Sequence, residues 1–499
     1  MLFNSSTFVI FFFLTFFVYY VSLFRNIQVL ILVVTSFIFY AWTSPWLLNL
    51  LLISIIINSI SSYQVTKFNT RNQRLLWAAG GVIVNLGILA LFKYGSLLTH
   101  LFIDNFNIST STNSILDILL HLPLPIGISF YTFEGISLLI DVLKQKENTS
   151  NETTVQKTIY SNYKLIDYLL NTSFFITFFP HLIAGPILKA NEVYPQISPK
   201  YFKDIPWNIV FSSLTTGYFL KMVVADNLKD YTFWITYPYF LDTGTITNLF
   251  LLFGYSMQIF ADFAGYSLIA IGLAAALGYT LPQNFNYPYI SCSIAEFWRR
   301  WHISLSTWLR DYLYFPLGGN RKGKVRTYFN LLIVMTLGGL WHGAAWSYAI
   351  WGIFHGLGLV IERLLGLHEK PKKNQQYAKP IWQQLFRDFI RVFAVFTFVS
   401  LGWLLFKLPE FDQAVSFMIS LFSNSQVKPK FSLILPVIIF SLPVIIYHIP
   451  HFPTITNANN LRIKENGIIS IIKEWILVIM LIMIILNSGG SNEFIYFQF

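Results

Sequence analysis

Ionisable side chains are costly where water is excluded, so finding them inside apolar runs is this chain's first chemical signal. Four stand out, His342, Glu134, Asp262 and His355. His342 lies in Leu337-Gly-Gly-Leu-Trp-His-Gly-Ala-Ala-Trp. Glu134 closes Pro125-Ile-Gly-Ile-Ser-Phe-Tyr-Thr-Phe-Glu, and Asp262 sits in Gln258-Ile-Phe-Ala-Asp-Phe-Ala-Gly-Tyr. An imidazole with a pKa near about 6.5 can take a proton from a hydroxyl as that hydroxyl attacks a carbonyl. His342 is the sharpest candidate, because residues 327–361 contain no Asp, Glu, Lys or Arg. Its neighbours Gly338, Gly339, Gly343, Ala344 and Ala345 are small, and Trp341 and Trp346 flank them. Small residues admit a second helix or a thin substrate chain. The plain alternative is a packing histidine bonded to a backbone carbonyl. His355, thirteen residues on, would fall on roughly the opposite face of one continuous helix.

A second cluster covers 294–315. Trp298, Trp301, Leu305, Trp308 and Tyr312 recur at helical spacing, and Glu296 and Arg300 are four apart and can pair. Aromatic and basic residues together suit an interfacial helix. An anchor of that kind has no need of an imidazole, so His302, one turn from Ser306, is left unexplained by it.

The elements that must carry these residues follow from composition. The chain has 499 residues, 55 % apolar and 18 % aromatic but only 11 % charged. An average soluble domain is about a quarter charged, and a disordered chain is poor in apolar residues. The outer surface therefore faces lipid, and the expected fold is an all-α polytopic membrane protein of one domain, 1–499. Runs near 20 apolar residues predict spans at 7–24, 27–43, 46–62, 75–93, 123–143, 165–188, 207–225, 246–279, 327–361, 389–407, 432–449 and 474–487. With long runs divided, that makes about 11–13 crossings plus re-entrant and interfacial helices. The runs 246–279 and 327–361 exceed one crossing, and the latter, roughly 52 Å as one helix, must be two pieces. Phe178-Phe-Pro-His-Leu-Ile-Ala-Gly-Pro breaks the helical ladder, so 165–188 reads as re-entrant.

The 34 basic and 23 acidic residues give a net charge of +11. In such a chain this reflects basic cytoplasmic loops and not nucleic-acid binding. Lys67, Arg71 and Arg74, the segment 144–164, the loop 299–326 (Arg299, Arg300 and five further basic residues) and 363–391 are assigned inside. The N-terminus is then extracytoplasmic, with 7–24 a retained first span, since no basic residue precedes Arg25 and no cleavage site follows.

Three further signals are set aside. Gly318-Gly-Asn-Arg-Lys-Gly-Lys lacks the Ser or Thr of a phosphate loop, since Val325 follows it. His100 and Asp104 match the His-xxx-Asp pattern of some soluble acyltransferases, but that spacing is common by chance and the pair is expected in a polar loop. His448 and His451 have no carboxylate nearby, and no metal site is expected. Cys292, the single cysteine, excludes an intrachain disulfide, and nothing near it in sequence marks it as a nucleophile.

From Asn284 to Arg363 the chain resembles the membrane-bound O-acyltransferase family, most of all the bacterial branch that acetylates extracellular polysaccharides such as alginate. The resemblance rests on residues 297–312, Pro316-Leu-Gly-Gly-Asn-Arg and Gly338-Gly-Leu-Trp-His-Gly-Ala-Ala-Trp. Residues 125–133, Phe179-Pro-His-Leu-Ile-Ala-Gly-Pro-Ile and the terminal Phe494-Ile-Tyr-Phe-Gln-Phe agree with it. It implies helices packed around a funnel, His342 at the catalytic histidine position and His302 at the second histidine. It also implies a cytoplasmic acyl-thioester donor, most simply acetyl-CoA, an extracytoplasmic glycan acceptor, and a relay through an extracytoplasmic partner protein as one route. The membrane would be the bacterial inner membrane, and no bound cofactor is implied.

The expected mechanism makes His342 the general base, with His302 orienting it, binding the acceptor or holding the oxyanion. Trp341, Gly339, Asp262, Glu134, Arg299 and Arg300 are candidate substrate contacts. D-alanyl transfer to teichoic acid and peptidoglycan O-acetylation compete on the same fold. A transporter or flippase competes as a class, though no internal repeat is visible.

Overall fold

The computed structural model describes residues 1–42, 44–106, 115–149, 163–367, 380–453, 467–487, 489 and 494. Among them helix is the only regular structure. Among the described residues, seven helices are long and apolar enough to cross a bilayer: Ser22–Ala41, Leu47–Lys67, Arg71–Leu101, Trp207–Ile235, Thr245–Ala276, Ile381–Lys407 and Phe431–His451. Their outward faces are apolar. On the helix from Arg71, Leu76, Ile83, Leu86, Leu91 and Leu98 are exposed together, a long apolar face of the kind a membrane covers. The chain is a multi-pass all-α membrane protein.

Contacts divide it into two compact units, 1–211 with 269–282 and 212–268 with 283–499. In the first, Leu47–Lys67, Arg71–Phe106 and Ile128–Thr149 pack together. Asn58 and Asn85 exchange amide hydrogen bonds of 3.1 and 2.9 Å between two of these helices. Such a pair is worth about 1 kcal/mol in a membrane and fixes the register of the helices that share it.

Several sequence expectations meet the structure here. The uncharged run divides as expected, into Lys324–His342 and Trp346–Leu364. The run 246–279 does not: Thr245–Ala276 is one helix of 32 residues, roughly 48 Å long. No proline interrupts that stretch, so nothing breaks its ladder. The helix Leu165–Thr177, 13 residues and roughly 20 Å, is too short to cross and stops before Pro180. At the start, Ser6–Tyr20 is a 15-residue helix, and the apolar span is Ser22–Ala41. Most of the terminal Phe494–Phe499 motif, and parts of 144–164 and 363–391, lie outside the described residues.

Candidate active site

The second unit centres on a helical hairpin whose crossing is set by glycine. A Cβ on Gly339 would strike the Tyr348 carbonyl oxygen and lie 3.1 Å from Gly352 Cα. A Cβ on Gly352 would strike the Met335 carbonyl oxygen. The Lys324–His342 and Trp346–Leu364 backbones can approach this closely only without side chains there. Gly339, a candidate substrate contact from sequence, is thus occupied in packing, and Gly338 beside it opens onto a cavity.

The first hairpin helix ends at His342, which is 6 % exposed. Its ring lies 5.3 Å from Trp351, 5.0 Å from Phe406 and 5.0 Å from Trp341, each in an edge-on arrangement. His342 also forms part of the wall of a cavity of about 100 Å³, with Trp298, Leu305, Leu309, Met335 and Trp351 among the other lining residues. His355 falls on the second hairpin helix, fully buried and 4.8 Å from Trp351.

His302 reaches the same place by a break in its helix. The aromatic run reads as one helix in sequence, but the structure divides it into Ile294–Arg300 and Ile303–Leu309. His302 stands between them in the left-handed region, φ 42°. For an L residue this costs about 1–2 kcal/mol, so surrounding bonds must hold it. Asn284 supplies them. Its backbone carbonyl accepts from Ile303 N–H at 2.9 Å. Its side-chain oxygen accepts from Ser304 N–H at 3.2 Å and Ser304 Oγ–H at 2.7 Å, and its amide donates to Ser267 Oγ at 3.2 Å. His302, fully buried, then lies 4.6 Å from Phe263, 5.9 Å from Trp341 and 6.3 Å from His342, ring centre to ring centre. The second unit therefore brings His302, Trp341 and His342 together.

The remaining sequence candidates sit elsewhere. Asp262 is buried 2.7 Å from Lys221 Nζ, which also donates to Asp226 at 2.7 Å. A π-helical stretch, Phe219–Ala225, brings Lys221 and Asp226, five residues apart, onto one side. Glu134, in the first unit, is buried 3.2 Å from His181 and accepts from Leu188 N–H at 3.1 Å. Arg300 pairs with Glu296 at 2.9 Å, as the spacing predicted, and donates to the Asn286 carbonyl; Arg299 is exposed. Sequence reasoning missed Asn284, Trp351, Lys221, Asp226 and Glu362, whose carboxylate accepts from Ile294 and Ala295 N–H at the start of Ile294–Arg300. Lys221 carried a usable signal, a charge inside the apolar run 207–225.

Cys292 lies just before that helix, where its N–H donates to Glu296 Oε2. Burial, reinforced by Asp388 and Glu296, pushes its thiol up to about 12. A thiol so far from ionising is a poor nucleophile at neutral pH.

Comparison with known proteins shows which family the chain belongs to. A profile described as the membrane-bound O-acyltransferase family matches residues 109–403. The chain is 38 % identical over 434 residues to a probable alginate O-acetylase of Azotobacter vinelandii, covering 85 % of this chain and 78 % of the relative. It is 33 % identical over 400 residues to a peptidoglycan O-acetyltransferase of Helicobacter pylori, covering 77 % and 72 %. A teichoic acid D-alanyltransferase of Bacillus subtilis is 28 % identical over 295 residues, 56 % of this chain and 68 % of the relative. The chain belongs to the membrane-bound O-acyltransferase family and is an acyltransferase.

Proposed function

We propose that this chain moves an acetyl group from a cytoplasmic thioester, acetyl-CoA in the simplest case, to a hydroxyl of an extracytoplasmic polysaccharide resembling alginate. Transfer is direct or passes through an extracytoplasmic partner protein. The observation that carries the reading is the burial of His302, Trp341 and His342 together beside a cavity with mostly apolar walls. His342 is the general base. It takes the proton as the hydroxyl oxygen attacks the thioester carbonyl, and returns it to the departing thiolate. His302 orients His342 or the acceptor and supports the oxyanion. Burial among aromatic rings keeps water from competing for the thioester.

On this reading the exposed basic residues of the segment 299–326, such as Arg299 and Lys322, face the cytoplasmic side of a bacterial inner membrane, where their charges attract the donor's phosphates. Of the three activities named among the relatives, the greatest identity and coverage favour polysaccharide acetylation over peptidoglycan acetylation and D-alanyl transfer. Deleting the gene and weighing surface glycans by mass spectrometry tests this. The expected result is loss of acetyl mass, restored by the wild type but not by His342→Ala present in equal amount. Unchanged acetylation overturns the substrate, and full restoration by His342→Ala overturns the base.

A further inference from the structure

Several charged side chains of the second unit meet an opposite charge. Lys221 lies between two carboxylates, Arg300 pairs with Glu296 and Arg310 with Asp311. Lys407, the half-buried last residue of Ile381–Lys407, does not. Among the described residues no carboxylate lies within ion-pair distance of its ammonium, and no acceptor takes a hydrogen bond from it. Glu410, three residues on, accepts instead from the Gln413 amide at 2.7 Å. A lysine at the end of a membrane helix ordinarily snorkels, its stem along lipid and its ammonium in the interface. Lys407 turns inward. Its Nζ stands over the ring of Tyr255, 5.5 Å from the centre, and Tyr255 is 1 % exposed. Lys229, on Asp226–Thr232, adds a second positive charge close enough to act on it. An aromatic face offsets only part of what an ammonium loses with its water, and a like charge adds to the cost. An anion relieves both.

Lys407 also stands close to the imidazole. Phe406, the residue before it, lies 5.0 Å from His342 and 5.1 Å from Tyr348, ring centre to ring centre. Ser400, seven residues earlier and so on the same face of the helix, accepts a 2.9 Å hydrogen bond from Ser256 Oγ–H, next to Tyr255. That bond fixes which helix the lysine meets. On the orientation proposed above, Lys324–His342 and Ile381–Lys407 both start at basic cytoplasmic segments, so His342 and Lys407 both stand toward the outer ends, where the acceptor arrives. A phospholipid headgroup, the other common anion at a membrane surface, suits a lysine that points outward.

We propose that Lys407 recognises the acceptor: its ammonium holds a carboxylate of an acidic sugar whose ring, or the next along the chain, offers its hydroxyl to His342. The inference rests on His342 as base and on the proposed orientation, and it narrows the acceptor to a polymer of uronic acids. In such a sugar the carboxylate and the hydroxyls stand on one six-membered ring, so a cation near the base selects the ring and orients it together. Tyr255 backs the ammonium, and Lys229 raises the local positive potential that draws a polyanion in. A neutral glycan leaves the ammonium unpaired, and that difference is the discrimination.

The test places the full chain in phosphatidylcholine nanodiscs and measures binding by fluorescence anisotropy. The probes are a labelled oligomer of hexuronic acids and the same oligomer with its carboxylates reduced to alcohols. Wild type is expected to bind the acidic oligomer about tenfold or more tightly than the reduced one. Lys407→Gln is expected to weaken the acidic oligomer about tenfold, the scale of one charge-assisted hydrogen bond, and to leave the reduced one within about twofold. Lys407→Arg, which keeps the charge, is expected to stay within about threefold of wild type. Added salt should weaken wild type more than Lys407→Gln. Equal affinity of wild type for the two oligomers overturns the proposal, and so does a Lys407→Gln chain that binds the acidic one as wild type does. Loss of co-purified anionic phospholipid from Lys407→Gln, with sugar affinity unchanged, overturns it in favour of a lipid headgroup. Binding is read without catalysis, so the acetylation reading fails separately. Surface glycans still acetylated after gene deletion overturn that reading, while a Lys407-dependent affinity for the acidic oligomer still supports the site.

Discussion

At the scale of single residues, the site contrasts an imidazole placed to work with a thiol held inert. His342 is buried among rings yet borders a cavity, whereas Cys292 has its thiol pushed up to about 12 by burial and then by Asp388 and Glu296. Raising the pKa favours the neutral thiol, so the thiolate fraction climbs about tenfold per pH unit until the pH nears 12. Alkylation by iodoacetamide at pH 8, followed by mass spectrometry, is expected to be about a thousandfold slower than for a free thiol. Cys292→Ser is expected to retain acyl transfer. Rapid labelling together with loss of transfer would instead point to a covalent acyl-enzyme. His342 was legible in sequence because the run around it, 327–361, is cleared of Asp, Glu, Lys and Arg, and His302 because an interfacial anchor has no need of an imidazole. Trp351 was not, because a tryptophan, one of fourteen, is an ordinary occupant of an apolar helix.

Elements were harder to read than residues wherever a distant group overrode local preference. The period of Trp298, Trp301, Leu305, Trp308 and Tyr312 describes one helix, and no glycine or proline interrupts it. The break at His302 comes from Asn284, eighteen residues upstream, which takes up the N–H groups of Ile303 and Ser304. Glu362 does similar work at the start of Ile294–Arg300 from sixty-eight residues away. Periodicity cannot reveal partners at that separation. Asn284→Ala leaves the Ser304 N–H and hydroxyl without their acceptor and Ser267 without its donor, at a cost of about 1–3 kcal/mol per buried group. Because the clamp sets the backbone of His302, kcat is expected to fall about tenfold or more, with the donor KM nearly unchanged. The discriminating measurement is a double-mutant cycle. In a His302→Ala background, Asn284→Ala should lower kcat little further. If both losses multiply in full, Asn284 acts on stability alone.

For the whole molecule, scarce charge determines both solvent and orientation. The membrane class and most spans were legible because a helix must present some 20 apolar residues to cross lipid. By the positive-inside rule, Lys67, Arg71 and Arg74 and the basic segment 299–326 are expected to face the cytoplasm and His121 the outside. The single cysteine makes this testable, since Cys292→Ser leaves a chain without thiols. Cysteines placed singly at exposed Thr70, His121 and Lys322 are then treated with a membrane-impermeant maleimide. In intact cells, position 121 is expected to label, while 70 and 322 label only after permeabilisation. The reverse pattern would turn the chain over. It would put the basic segment 299–326 on the side without acyl-CoA and remove the electrostatic argument for a cytoplasmic donor.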